Sequence, residues 1–181
     1  CGACSAACYI KAITEKEIPL GEISTFNTGI GIGLTEGRLE IGSPMQTMLI
    51  KKLKKEVAVK ECITILDSPP GTSCPVVETV SDADLVILVS EPTPFGLHDL
   101  KLTVEMLNQI KKPFGVIVNK AGLGSDDIFD FLNNKNIELF GTIPFKKNYA
   151  SAYSRGELLQ NITEETESVY KGIIHKIKNR L

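Results

Sequence analysis

Four short apolar runs recur along the chain: "CITIL" at Cys62–Leu66, "LVILV" at Leu85–Val89, "FGVIV" at Phe114–Val118 and "LFGTI" at Leu139–Ile143. Runs of this length, apolar on both faces and rich in Val and Ile, suit strands buried in a parallel sheet. Helical spacing fills the gaps between them. Leu97, Leu100, Val104 and Leu107 fall on one stripe, and Ile128, Phe131 and Leu132 on another. Upstream, Met45, Met48, Leu49, Leu53 and Val57 make a third stripe with lysines opposite. Strand alternating with helix predicts a layered α/β fold.

Ahead of these units, "GEISTFNT" and "GIGIGLTEGRLEIG" are Gly-punctuated and partly alternating, which predicts an antiparallel hairpin with strands at Glu22–Thr28 and Arg38–Gly42. At the far end, Val169, Ile173 and Ile177 form a helical stripe with Thr163 as its N-cap and basic residues in the last turn. That stripe is read as packing on the sheet; a membrane-positioning amphipathic helix is the weaker alternative. The chain of 181 residues carries 43% hydrophobic and 23% charged residues and a net charge of -2. Such a composition gives no general attraction to nucleic acid. No apolar run nears the ~20 residues that span a bilayer, and a cytoplasmic setting is expected.

In an open parallel sheet, ligands lie beyond the carboxyl ends of the strands, so the residues that follow each apolar run carry the chemistry. After the first comes "DSPPGTSCP". A carboxylate at the end of a buried strand is costly unless a cation or hydrogen bonds hold it, and Mg²⁺ on a phosphate is one reason to place Asp67 there. Pro69, Pro70 and Gly71 turn a loop whose amides can face a phosphate, and Pro75 suits the start of a helix. A plain strand-ending turn with a capping Asp is the competing account. After the third run comes "NKAG": Asn119 offers a donor and an acceptor to a base edge, and Lys120 can lie along a ring or hold the loop. By itself this is an ordinary loop; what distinguishes it is that every such motif falls at one rim.

"ILDSPPGTSCPVVETVSDADLVILVSEPTPFGLHDLKLTVEML", "PFGVIVNKAG" and "IPFKKNYASAYSRGELL" together resemble the MinD-superfamily P-loop ATPases that contain an inserted ferredoxin domain. These are relatives of MinD, ParA, the Mrp-type iron–sulfur carriers and the nitrogenase iron protein. The resemblance runs in motif order over essentially the whole chain. It implies a three-layer P-loop NTPase-like α/β fold binding ATP or ADP with Mg²⁺, closing as a homodimer when intact, with a redox or iron–sulfur partner protein. By the same resemblance Asp67 lies near Mg²⁺ and Pro69, Pro70, Gly71 and Thr72 form the loop that senses the γ-phosphate. Asn119 reads adenine with Lys120 beside it, and Pro144 and Phe145 flank the base.

The opening "CGACSAACYIKAI" fits the same family. A bacterial ferredoxin run reads C-x₂-C-x₂-C-x₃-C-P, and Cys1, Cys4 and Cys8 match its last three cysteines, with Tyr9 where proline is usual. The resemblance implies [4Fe–4S] ligation, with the remaining ligands upstream of Cys1. Residues 1–20 are then the remnant of the insert and residues 21–181 the C-terminal part of the ATPase domain. Zinc is the rival, but it wants four ligands, and Cys62 and Cys74 stand apart. Cys62 is expected in the core, and Cys74 at a helix start is expected to be structural. The phosphate-binding G-x-x-x-x-G-K-[ST] run is absent from these 181 residues. Gly29, Gly31 and Gly33 do not replace it, because no buried strand feeds them. Two functions follow: an ATPase coupled to iron–sulfur or electron-transfer chemistry, and an iron–sulfur carrier or scaffold with a regulatory, non-hydrolysing nucleotide fold. For the isolated chain, little or no hydrolysis is expected.

Overall fold

The computed structural model describes residues 2–27, 33–57, 62–157 and 164–181. The chain forms two compact units, Cys1–Asp67 and Ser68–Leu181.

The first unit holds a short helix α1 (Ala3–Ala7), a hairpin of β1 (Gly21–Asn27) and β2 (Gly33–Leu39), and helix α2 (Gln46–Val57). The hairpin is antiparallel, with Gly21 opposite Leu39 and Asn27 opposite Gly33. The predicted hairpin therefore exists, but its second strand begins earlier, inside the glycine-rich stretch. Gly33 is engaged in the ladder; Thr28, Gly29 and Gly31 lie outside the described residues. Leu49 and Leu53 of α2 pack over Gly37 of β2. None of the described hydrophobic residues of this unit is fully buried.

The second unit contains the parallel sheet, in the order β3 (Val86–Ser90), β4 (Phe114–Ala121), β5 (Leu139–Pro144). Val86 pairs with Phe114 and Ser90 with Val118; Val116 pairs with Leu139 and Val118 with Thr142. The alternation of side chains along β4 builds the layers. Val116 and Val118 point to one face, where α4 (Pro94–Gln109) brings Leu100 and Val104 and α5 (Asp127–Asn134) brings Ile128 and Leu132. Ile117 points to the other, against Phe140 and Ile173 of α7 (Glu164–Lys178), with Val169 and Ile177 on the same stripe. A Cβ on Gly141 would come within 2.5 Å of Ile173, so glycine is what allows α7 to approach the sheet. Helix α3 (Cys74–Val80) joins through Val80, packed with Val86 and Leu107. Helices on both faces of a parallel sheet make the expected three-layer α/β arrangement. A sixth helix, α6 (Lys147–Ser154), follows β5.

The first apolar run behaves differently. Cys62–Leu66 is not a strand: Ile63 is 69% and Ile65 89% exposed, and Cys62, expected in the core, is exposed as well. Apolar alternation favours a strand only where a ladder satisfies its amides and carbonyls, and among the described residues this run has no pairing partner. Burial of β3 is also one-sided. Val86 is buried, whereas Ile87 and Val89 are exposed, because α7 covers β4 and β5. The predicted N-cap Thr163 lies outside the described residues.

Candidate functional site

The carboxyl rim of the sheet is assembled by three strand ends. At the end of β3, the Ser90 hydroxyl donates to the Gly96 carbonyl at 2.9 Å. Thr93 caps α4 by accepting from the Gly96 amide at 3.0 Å, with Pro94 at the first helical position. The turn between Ser90 and Gly96 is therefore tied at both ends, and it carries Glu91.

β4 runs further than the apolar run that predicts it. Asn119, Lys120 and Ala121 still belong to the strand, with a register shift against β5 between Val118 and Ala121. At this irregularity Lys120 has a left-handed φ of 53°. A side chain in that region costs of order 1–3 kcal/mol and is kept only where its surroundings hold it. Two contacts do so: the Asn119 Oδ1 accepts from the Lys120 amide at 2.9 Å, and the Lys120 ammonium pairs with the Glu91 carboxylate. The loops after β3 and β4 also touch directly, since a Cβ on Gly124 would collide with the carbonyl of Pro92. From the third strand, Pro144 pairs with Ala121, and the Phe145 amide donates to the Ala121 carbonyl at 3.1 Å. Pro144 is half-buried and Phe145 is 36% exposed.

Four residues singled out in the sequence, Asn119, Lys120, Pro144 and Phe145, thus meet at one rim. The Asn119 Oδ1 accepts from the neighbouring amide, and the Nδ2 of the same carboxamide is a donor. Glu91 escapes the sequence reading. The available signal is an acidic residue directly after an apolar strand, at the same rim as a lysine.

The other group begins with Asp67, an exposed carboxylate at the last position of the first unit. In the second unit, Pro69 is half-buried while Pro70, Gly71 and Thr72 are exposed, and Gly71 turns the loop with a φ of 90°. The Ser68 hydroxyl donates to the Pro69 carbonyl at 3.1 Å. The loop ends at Ser73, whose carbonyl accepts from the Val76 and Val77 amides, so that Cys74 and Pro75 open α3 as expected. Cys74 is exposed.

Of the three clustered cysteines, Cys1 lies outside the described residues. Cys4 is exposed on α1; Cys8 is half-buried and its sulfur accepts from the Ala12 amide at 3.3 Å. Amide donors of this kind tune cluster thiolates, but two cysteines fall short of the four a cluster needs. Among the described residues no three His, Cys, Asp or Glu side chains gather into a metal-binding group. No described helix is long and apolar enough to cross a membrane.

Comparison with solved structures places this architecture beside MinD of Aquifex aeolicus, a cell division protein (TM-score 0.61, 20% identity, 86% of this chain and 68% of that one). Apo McdA of Cyanothece has a TM-score of 0.56 at 21% identity, covering 74% of this chain and 60% of its own. An ATP complex of a McdA variant scores 0.54. At these identities the likeness is one of fold. Among sequences, an uncharacterized protein of Methanocaldococcus jannaschii is 30% identical over 160 residues, 87% of this chain and 55% of its own length. A second from that organism is 29% identical over 152 residues and 52% of its length, and an ATP-binding protein of the same organism is 26% identical over 157 residues. The chain thus spans about half the length of the first two relatives. Residues 19–178, nearly the whole chain, match the ParA family described as NUBPL iron-transfer P-loop NTPase, and the protein belongs to that family.

Proposed function

We propose that this chain supplies the base-reading and metal-facing part of an ATPase whose nucleotide cycle is coupled to iron–sulfur or electron-transfer chemistry. The observation that carries the reading is the convergence of Asn119, Lys120, Pro144 and Phe145 on one rim of a parallel sheet. In it, the Asn119 Nδ2 donates to an acceptor on the adenine edge while Pro144 and Phe145 flank the ring. The Glu91–Lys120 pair holds the reading strand in its irregular conformation. Asp67 and the Thr72 hydroxyl are oxygen donors of the kind Mg²⁺ takes, with most of its water retained. The loop from Pro69 to Thr72 moves as the γ-phosphoryl group leaves. A phosphate-binding G-K-[ST] loop is not among these residues, so turnover requires one from another segment, and two such sites closing as a homodimer would complete the arrangement. The family's iron enters as cargo. Cys4 and Cys8 do not by themselves hold a cluster, and no step is routed through one.

The test is a nuclear magnetic resonance titration of the chain with ADP, with and without Mg²⁺. Amides of Asn119, Ala121 and Phe145 are expected to shift on adding ADP. The Gly71 and Thr72 amides should respond to Mg²⁺ only while Asp67 is present and lose that response in Asp67→Ala. Shifts that avoid the rim, or a Mg²⁺ response unchanged in Asp67→Ala, would remove these residues from the site.

A further inference from the structure

We propose that a cavity at the opposite, amino-terminal rim of the parallel sheet binds a small organic anion with a flat apolar body, an aryl phosphate or aryl carboxylate. The cavity of 740 Å³ lies where the last turns of α4 and α5 meet the start of β4 and the residues leading into β5. That volume falls within the range of about 300–1,000 Å³ typical of small-molecule sites. Its apolar surface comes from Val104, Phe114, Phe131 and Ile137. Four cations border it, Lys101, Lys112, Lys135 and Arg180, against two carboxylates, Glu105 and Glu138. This runs against the net negative charge of the chain.

The cations are unequal. Arg180 is neutralised by Glu138 at 3.0 Å. Lys112 donates to the Ala83 carbonyl at 3.1 Å, which anchors the ammonium without cancelling its charge. Lys101 stands 5.5 Å from the centre of the Phe131 ring, and neither it nor Lys135 pairs with a carboxylate among the described residues. Lysines near helix C-termini commonly serve to satisfy the last carbonyls. Here the backbone does that itself. The Lys111 and Lys112 amides return to Asn108 and Leu107, and the Asn136 and Ile137 amides to Asn133 and Leu132. Lys111 and Asn136 take the left-handed conformation that this closure requires, with φ of 56° and 51°. The lysine charges are therefore available to a ligand. An adjoining hollow past the Phe131 ring is lined by Asp127 and Asp130 together with Lys101 and Lys135, so charges balance there, whereas the main cavity carries the excess of cations.

This site is independent of the nucleotide reading, because β4 separates the two rims by about 20 Å. The experiment is a titration of the ¹⁵N-labelled chain with phenyl phosphate, phenylacetate, inorganic phosphate and benzyl alcohol. Phenyl phosphate or phenylacetate should shift the amides of Asn108, Lys135, Asn136 and Ile137 with saturation in the millimolar range, and their ranking identifies the preferred head. Inorganic phosphate and benzyl alcohol should bind at least about tenfold more weakly. Lys135→Glu and Lys101→Glu, both exposed positions, should each weaken the aryl anion about tenfold while leaving the ADP-dependent shifts at Asn119 unchanged. Equal binding of inorganic phosphate would reduce the site to a diffuse cationic surface. Equal binding of benzyl alcohol would show no selection for charge. Absent or scattered shifts, or charge-reversed variants that bind as well as the parent, overturn the proposal.

Discussion

Single residues at the carboxyl rim of the sheet are held by their neighbours more than by their own preferences. Lys120 keeps an unfavourable φ because Glu91 and the Asn119 carboxamide engage both its ends. A more exposed example lies just beyond α6, where Arg155 grips Glu157 through Nε at 2.7 Å and Nη2 at 2.9 Å. This fork lowers the Glu157 carboxyl below the usual glutamate range, and the arginine is raised in turn. The folded-state pKa of Glu157 is thus depressed. Its small contribution to stability is present above the unfolded value and is lost as pH falls through the folded one. In Arg155→Gln, the Glu157 midpoint followed by side-chain carbon resonances should rise to that of an ordinary glutamate. Identical midpoints in parent and variant would show that the fork does not form in solution.

At the scale of elements, three helices end by the same device. α4, α5 and α6 each close with a left-handed residue whose amide and the next return to the last turn; the residues are Lys111, Asn136 and Gly156. Glycine enters this conformation freely, asparagine tolerates it, and lysine is strained there. Replacing Lys111 with glycine should therefore raise stability in urea by about 0.5–1 kcal/mol, the relieved strain exceeding the added chain entropy. Asn136→Gly should gain less. A loss of stability in Lys111→Gly would mean that the lysine side chain supplies more than the strain removes.

For the whole molecule, the decisive contrast is in burial. All of the fully buried hydrophobic residues among those described lie between Val76 and Ile173, in the second unit. Local opening is cheapest where few apolar contacts oppose it. Amide exchange should accordingly be slowest at Val116, Ile117 and Val118 and faster by at least about a hundredfold along β1 and β2. Comparable protection in both units would show a degree of cooperativity that this distribution of core residues does not provide. The exposed Ile63, Ile65, Ile87 and Val89 belong to the same picture, being apolar strand-type residues without cover among the described residues.

How much was legible beforehand follows from range. The strands β3 to β5, helices α2, α4 and α5 and the α7 stripe were readable because each writes its period into a dozen neighbouring residues, and burial then acts on that period. The same period misled at Cys62–Leu66, since apolar alternation states only that a residue suits a sheet, while a strand also needs a ladder partner. Asn119 and Lys120 stood out by their position after an apolar run, and Pro144 and Phe145 through the resemblance to a known family, but their meeting depends on the parallel pairing of β4 with β5 and its register shift. Glu91 carried only the faint signal of an acidic residue after an apolar run, and the lysine-bordered cavity left no local mark. Their partners are distant in the chain, and only tertiary packing gives a charge its neighbour.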